Sequence, residues 1–216
     1  MPIRPIQPEL DILYQDDHLL AVNKPSGLLT VPGKGPDKQD CLISRVQGWF
    51  PNARVIHRLD MATSGLVLIA RGADSLREFS RLFQERRIHK NYEAIVDGRI
   101  REDSGAVELP LICDWPRRPL QKICFSHGKQ ALTHFQVLSY NNTTDETRVR
   151  LLPVTGRSHQ LRVHMLALGH AIVGDELYAP EPARERSERL LLHACELRFT
   201  HPYSKHEIHL RSEVPF

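Results

Sequence analysis

The chain is 216 residues long, room for one large domain or two small ones with a substantial core. Apolar residues make up 41% and charged residues 25%, the proportions of a soluble globular protein, and the net charge of +3 is too small a surplus to mark a nucleic-acid binder by itself. No apolar run approaches the roughly 20 residues of a membrane-spanning helix and the N-terminus lacks the apolar core of a secretion signal, so a cytoplasmic protein without membrane contact is expected. Residues Met1 to Glu9 are rich in proline and read as part of an extended arm covering residues 1–11. From Ile12 to Val22, two short apolar runs flank Asp16-Asp17, a hairpin signal. Asn23-Lys24-Pro25-Ser26-Gly27 turns the chain, and Leu28 to Val31 is expected to resume a strand. Gly33 to Lys38 reads as a loop. Cys41 to Phe50 reads as a short amphipathic helix with Leu42, Val46 and Trp49 on one face.

The next stretch is the densest in chemistry. Val55-Ile56-His57-Arg58-Leu59-Asp60 runs through Thr63-Ser64 into the unbroken apolar run Gly65 to Ala70, which suits a strand buried on both faces. An ionised aspartate beside such a strand loses solvation unless a cation meets it. Arg58 lies two residues away, on the same face of an extended backbone. Read from the residues, this is either an ion pair heading a strand or a functional carboxylate.

Ser75-Leu76-Arg77-Glu78 has the pattern of a capping box, opening a helix through about Arg87 with Leu76, Phe79 and Phe83 toward the core. Lys90 to Gly98 is expected to be a strand with Tyr92, Ala94 and Val96 on one face, where a tyrosine is ordinarily part of the core. Leu109 to Pro119 is broken by prolines and loop-like, and its Trp115 beside Arg117-Arg118 suits either stacking on nucleic acid or anchoring the loop. Two alternating strands follow, Ala131 to Tyr140 and Thr147 to Val154, joined at Asn141-Asn142-Thr143-Thr144. In Thr155 to His164 the glycine Gly156 permits a turn, Ser158 can cap a helix, and Leu161, Met165 and Leu168 supply its buried stripe. Arg162, at the edge of that stripe, would need an acid if it turned inward. Leu190 to Phe199 and His206 to Arg211 read as strands around a charged, exposed turn or short helix, Glu181 to Arg189. Strands dominate, with about three helices, which favours an α+β fold around a large mixed, mostly antiparallel sheet.

Cys41, Cys113, Cys124 and Cys195 are scattered without a Cys-x-x-Cys pair, which argues against a zinc ribbon and offers no disulfide framework. His159 and His164 stand five apart, off the spacing of a helical metal pair, and His-Glu-x-x-His is absent, so neither a metal nor another cofactor is expected. The basic residues cluster. Arg117, Arg118, Lys122 and Lys129 share a stretch without an intervening acid, as do Arg148, Arg150, Arg157 and Arg162. That distribution fits a phosphate-binding face or solvated surface arginine.

His57-Arg58-Leu59-Asp60-x-x-Thr63-Ser64-Gly65 resembles the catalytic signature of the RluA family of RNA pseudouridine synthases, with Asp60 in the nucleophile's place. Lys24-Pro25-Ser26-Gly27 is similar to that family's Lys-Pro-x-Gly element. Lys90-Asn91-Tyr92-Glu93-Ala94 resembles its Lys-x-Tyr-x-Ala element, and Gly156-Arg157-Ser158-His159-Gln160-Leu161-Arg162 its Gly-Arg-x-His-Gln-x-Arg motif. The likeness runs on through Gly169 to Tyr178, with Gly-His-x-Ile-x-Gly-Asp-x-x-Tyr, and the Leu-Leu-His strand, about Tyr14 to His201 in all.

The resemblance implies a pseudouridine synthase fold in one catalytic domain over residues 12–216, without a separate RNA-binding domain. It implies isomerisation of uridine to pseudouridine in RNA, with Asp60, Tyr92 and Arg162 catalytic and Arg162 paired with Asp60. It places Arg58 where it could fill the space of the flipped base and contact phosphate, while Thr63, Ser64, Arg157 and His159 are candidates for shaping the pocket or holding RNA. Ile112 to Pro116, Met165 to His170 and the short length look most like the dual-specificity members, implying tRNA anticodon and 23S rRNA stem-loops as partners. No obligatory protein partner is implied, and a monomer is expected. The competing readings are an RNA-binding protein of the same fold without catalysis and a hydrolase using Asp60 with His57 or His159 as base. The latter lacks a Gly-x-Ser-x-Gly elbow and a metal motif.

Overall fold

The computed structural model describes residues 10–216, so residues 1–9 of the expected arm lie outside the described residues. By internal contact the chain forms two compact units, one running through Ile88 and resuming over Leu197–Ser212, the other His89–Glu196 with Glu213–Phe216.

The first unit begins with the expected hairpin, β1 (Ile12–Gln15) and β2 (Leu19–Lys24). Asp16 makes its turn, one carboxylate oxygen accepting the backbone N–H groups of His18 and Leu19 at 2.7 Å each. β2 runs antiparallel to β4 (Ser64–Arg71), with Lys24 opposite Gly65, and β3 (Ala53–Val55) pairs with the other end of β4. Every residue of β4 from Ser64 to Ala70 is buried, as its unbroken apolar run requires. α1 (Leu42–Gln47) and α2 (Ala73–Gln84) join these strands, and Leu66 and Leu68 pack with Phe79, Leu82 and Phe199 in the core. The unit closes with the C-terminal half of β11 (Leu192–Thr200) and with β12 (Glu207–Arg211).

Three local expectations fail here. Leu28 to Val31 is no strand; it forms one bridge, Leu29 to Cys41, because the Leu29 and Thr30 carbonyls accept the first N–H groups of α1, from Leu42 (2.8 Å) and Ile43 (3.2 Å). α1 stops at Gly48, which leaves Trp49 beyond the helix and 60% exposed. α2 begins two residues before Ser75, so no capping box forms, and buried Ser75 instead meets His18 Nδ1 at 3.3 Å.

In the second unit the strand order is β11 (its residues through Glu196), β5 (His89–Asp97), β10 (Glu146–Pro153), β9 (Leu132–Asn141) and β6 (Ser104–Glu108). β10 runs antiparallel to β5 and to β9, and β6 antiparallel to β9. The segment expected to be a loop contains a small antiparallel hairpin, β7 (Leu111–Cys113) and β8 (Gln121–Ile123), around a turn of 3-10 helix at Trp115–Arg117. α3 (Gln160–Ala167) and α4 (Glu181–Glu185) complete the unit. Leu161 and Met165 of α3 are buried, but Leu168 lies past its end and is 37% exposed. The fold is thus α+β, with a large mixed, mostly antiparallel sheet and few helices.

Candidate active site

Asp60 sits in the first unit, in the irregular loop between β3 and β4. That loop is fastened by residues 24–30. Lys24 is wholly buried, and its ammonium donates to the carbonyls of Pro25 (2.8 Å), Leu28 (2.8 Å) and Met61 (3.0 Å). Three acceptors for its three N–H bonds offset the loss of water around a buried cation. Gly27, at φ +82°, brings its own N–H to the Met61 carbonyl at 2.9 Å, and the Ser26 hydroxyl donates to Ala62 O at 2.7 Å. Thr30 Oγ1 donates to Leu59 O (2.8 Å) and accepts from Leu59 N (3.2 Å). The backbone is therefore held on both sides of Asp60, at Leu59 and at Met61-Ala62, while Asp60 itself is half-buried and its carbonyl accepts from Thr63 N at 3.2 Å.

The remaining motif residues have distinct duties. Thr63, at the end of the loop, and Ser64, the first residue of β4, are each 3% exposed. Gly65 enters β4 at φ +113°, a backbone that strains a residue with a Cβ. His57 Nε2 accepts from Leu68 N at 2.9 Å, with its ring 4.5 Å from that of Phe83, so that nitrogen's lone pair is committed to the strand and is not that of a general base. Arg58 is exposed, and among the described residues it makes no hydrogen bond or ion pair.

Tyr92, Arg157, His159 and Arg162 belong to the second unit. Tyr92 lies on β5 opposite Leu151; it is half-buried, while Ala94 and Val96 on the same face are fully buried. At the start of α3, Ser158 does not cap. His159 takes the cap position in the left-handed region (φ +53°) without a side-chain cap bond. Gln160 ties down the turn instead: its Oε1 accepts from Thr155 Oγ1 (2.7 Å) and Arg157 N (3.0 Å), and its Nε2 donates to Leu132 O and Thr133 Oγ1 at 3.0 Å each. Exposed Arg157 donates through Nε to Gln130 O at 3.1 Å.

Arg162 does turn inward, 4% exposed, and an acid meets it. Its Nε and Nη2 donate to Asp175 Oδ2 (2.8 Å) and Oδ1 (2.6 Å) in a two-point pair, and Asp175 is 1% exposed. Gly174 makes that turn possible: at φ +74°, a Cβ there would fall 1.9 Å from Arg189 O. The ring of Tyr178 lies over the Arg162 guanidinium at 5.1 Å, and its hydroxyl is 2.6 Å from His159 Nδ1 and accepts Gln121 N–H at 2.8 Å. Asp175 and Tyr178 had no role in the sequence reading, although the signal was present in Gly174-Asp175-x-x-Tyr178 and in the need of an inward Arg162 for an acid.

The β7–β8 hairpin carries Trp115, 65% exposed, with Arg118 stacked on it at 4.4 Å, and Phe125 follows β8, 79% exposed. The basic clusters are partly neutralised. Buried Asp114, just ahead of the acid-free stretch, binds Arg117 at 2.6 Å and Lys122 at 3.2 Å, and Arg148 meets Glu93 at 3.2 Å. Among the described residues no three His, Cys, Asp or Glu side chains gather as a metal site. No helix among them is long and apolar enough to cross a membrane.

The site-bearing elements are thus a pinned Asp60 loop in the first unit and a buried arginine at the head of α3 in the second, within an α+β fold. Residues 18–167 match the family model described as RNA pseudouridylate synthase, and the chain belongs to that family. It is 55% identical over 203 residues to the dual-specificity RNA pseudouridine synthase RluA of Vibrio parahaemolyticus, covering 93% of this chain and 81% of that one. To the protein of the same description from Escherichia coli K12 it is 54% identical over 199 residues, 92% and 90% of the two chains. Among solved structures, human RNA pseudouridylate synthase domain containing 1 superposes with a TM-score of 0.80 at 32% identity, over 100% of this chain and 87% of the other. The protein is an RNA pseudouridine synthase.

Proposed function

We propose that Asp60 is the carboxylate that acts at C1′ of the target uridine, and that the enzyme serves two classes of RNA, the tRNA anticodon stem-loop and a 23S rRNA hairpin. The observation that carries the first part is the pinned backbone around a half-buried Asp60. Breaking the C1′–N1 bond, turning the uracil and rejoining it through C5 consumes no oxidant or energy carrier. It requires a group that attacks C1′ or stabilises its developing positive charge, held in place while the base turns. A loop anchored at Leu59, Met61 and Ala62 keeps the reorganisation of such a carboxylate small.

Tyr92 and Arg162 are the other catalytic groups in this reading, Tyr92 on the uracil or as a proton carrier. Arg58, exposed and uncommitted among the described residues, contacts phosphate and fills the space of the flipped base, which costs a few kcal/mol to unstack, less in a loop than in a duplex. Arg157 and His159 hold RNA, and Thr63 shapes the loop. The similarity to proteins described as dual-specificity supports the two substrate classes. The enzyme works in the cytoplasm as a monomer, without metal or cofactor.

The test incubates the purified protein, without added metal or nucleotide, with unmodified tRNA and a 23S rRNA fragment, and maps pseudouridine. Asp60→Asn, nearly isosteric but uncharged, runs beside it. Product from wild type on both RNAs and none from the variant, with RNA binding retained, is expected. Product from both proteins would assign the chemistry to another residue; product on one RNA class alone would end the dual-substrate reading.

A further inference from the structure

We infer that Asp175 and Tyr178 are positioning residues for Arg162; this rests on the reading of Arg162 as a catalytic group. A fully buried ion pair is poor value for stability alone, since well-packed apolar side chains of the same volume often serve as well or better. Its geometry explains its presence. Asp175 takes Nε and Nη2, one whole edge of the guanidinium, and so sets the plane and direction of the other edge. A lysine has no such edge.

The carboxylate is itself immobilised. Its Oδ1 also accepts the N–H groups of Leu177 (3.0 Å) and Tyr178 (3.2 Å). The same two bonds seat Tyr178, whose ring covers the guanidinium face at 5.1 Å. Arg162 is thus fixed along one edge by Asp175 and on one face by Tyr178. The Tyr178 hydroxyl does something separate: it takes the N–H of Gln121, the first residue of β8, and lies at His159 Nδ1. It therefore ties the hairpin bearing Trp115 and Arg118 to the segment that opens α3. The ring acts through Arg162, and the hydroxyl acts on the surface that holds RNA.

The experiment measures kcat, KM for a tRNA stem-loop, RNA affinity and thermal unfolding for Asp175→Asn, Tyr178→Phe, Tyr178→Leu, Arg162→Met and the double variant Asp175→Asn with Arg162→Met. Asp175→Asn is expected to lower kcat about 100-fold, as a misplaced catalytic group does, with KM changed less than about 3-fold. Tyr178→Phe is expected to do the reverse, raising KM while kcat holds. The double variant should be no slower than Arg162→Met alone, because Asp175 works only through that arginine. A merely structural role would lower the fraction of folded enzyme and leave this split and this non-additivity unseen, which would overturn the inference. Should Asp175→Asn fail to fold, Tyr178→Leu decides by comparison with Tyr178→Phe: both lack the hydroxyl and should raise KM alike, so a kcat equal to that of Tyr178→Phe overturns the inference, and a kcat well below it supports it. Full kcat in Arg162→Met would instead remove the catalytic reading of Arg162, and the inference with it.

Discussion

The Lys24 ammonium and the Met61 carbonyl, 3.0 Å apart, join the Lys-Pro-x-Gly turn to the residue that follows Asp60. This contact makes a buried cation part of the frame around the candidate carboxylate. Lys24→Met keeps the volume and removes the three donated bonds, so the carbonyls of Pro25 and Leu28 lose that donor. Orphaning the buried Leu28 carbonyl costs about 1–3 kcal/mol, partly offset by relief of the buried charge, while the exposed Pro25 carbonyl can turn to water, so a net loss of ~1 kcal/mol is expected in urea unfolding. Activity should fall at least about 10-fold beyond the unfolded fraction, because the loop loses its register. A Lys24→Met enzyme with the wild-type rate would show that the loop holds itself.

Thr30 makes the same point from the other side of Asp60. One hydroxyl satisfies both the N–H and the C=O of Leu59, a residue 8% exposed. Thr30→Val is the same shape without the hydroxyl and should destabilise by about 1–3 kcal/mol, the cost of leaving buried backbone groups unpaired. Thr30→Ser keeps the hydroxyl and should recover most of the pseudouridine yield. Equal behaviour of the Val and Ser variants would refute the assignment.

Much of this was legible in the chain, for reasons that differ by residue. The strand Gly65 to Ala70 announced itself because both of its faces are buried, which leaves an apolar run with no polar interruption. The hairpin at Asp16-Asp17 was legible because a carboxylate that caps its own turn is a local device. Lys24 was not legible as a buried staple, since its acceptors are main-chain carbonyls and these leave no mark in the side-chain sequence. β6 was missed because it is a largely exposed strand in which Val107 alone is buried, too little to impose alternation. Trp49 and Leu168 misled for one cause: each lies beyond the last turn of its helix, where helical spacing no longer places a side chain. Asp175 demanded a partner across 13 residues and a turn that only Gly174 permits, and helical periodicity cannot report that.

Trp115 offers a test of the RNA surface apart from the chemistry. It is 65% exposed, and Arg118 covers one face of it. Replacing it by alanine should leave unfolding within about 0.5 kcal/mol of wild type, as for most exposed positions. If a base stacks there, RNA affinity should fall by about 1–3 kcal/mol, read by fluorescence anisotropy at fixed salt. Unaltered affinity would make Trp115 an anchor of its loop and no more.

Acid should destabilise the protein before its carboxylates titrate. His193 is 1% exposed; burial, aided by the Arg189 charge, pushes its pKa down to about 4. His164, fully buried, is pushed below the ordinary range by burial, although its ring also bonds to the Leu109 carbonyl at 3.1 Å. His201 shifts the same way, burial outweighing the pull of Asp16. In the unfolded chain each returns to a pKa of about 6.5, so below that pH the unfolded state binds protons that the folded state refuses. Stability is therefore full above about pH 6.5 and falls as the pH drops toward the folded values; His193 alone accounts for at most about 2 kcal/mol by pH 5. Urea unfolding at pH 7.5, 6.5, 5.8 and 5.0 should trace this decline, and His193→Asn, which cannot take up a proton, should flatten it. A stability that stays level from pH 7.5 to 5.0, or a slope that His193→Asn leaves untouched, would mean that these rings accept protons without unfolding.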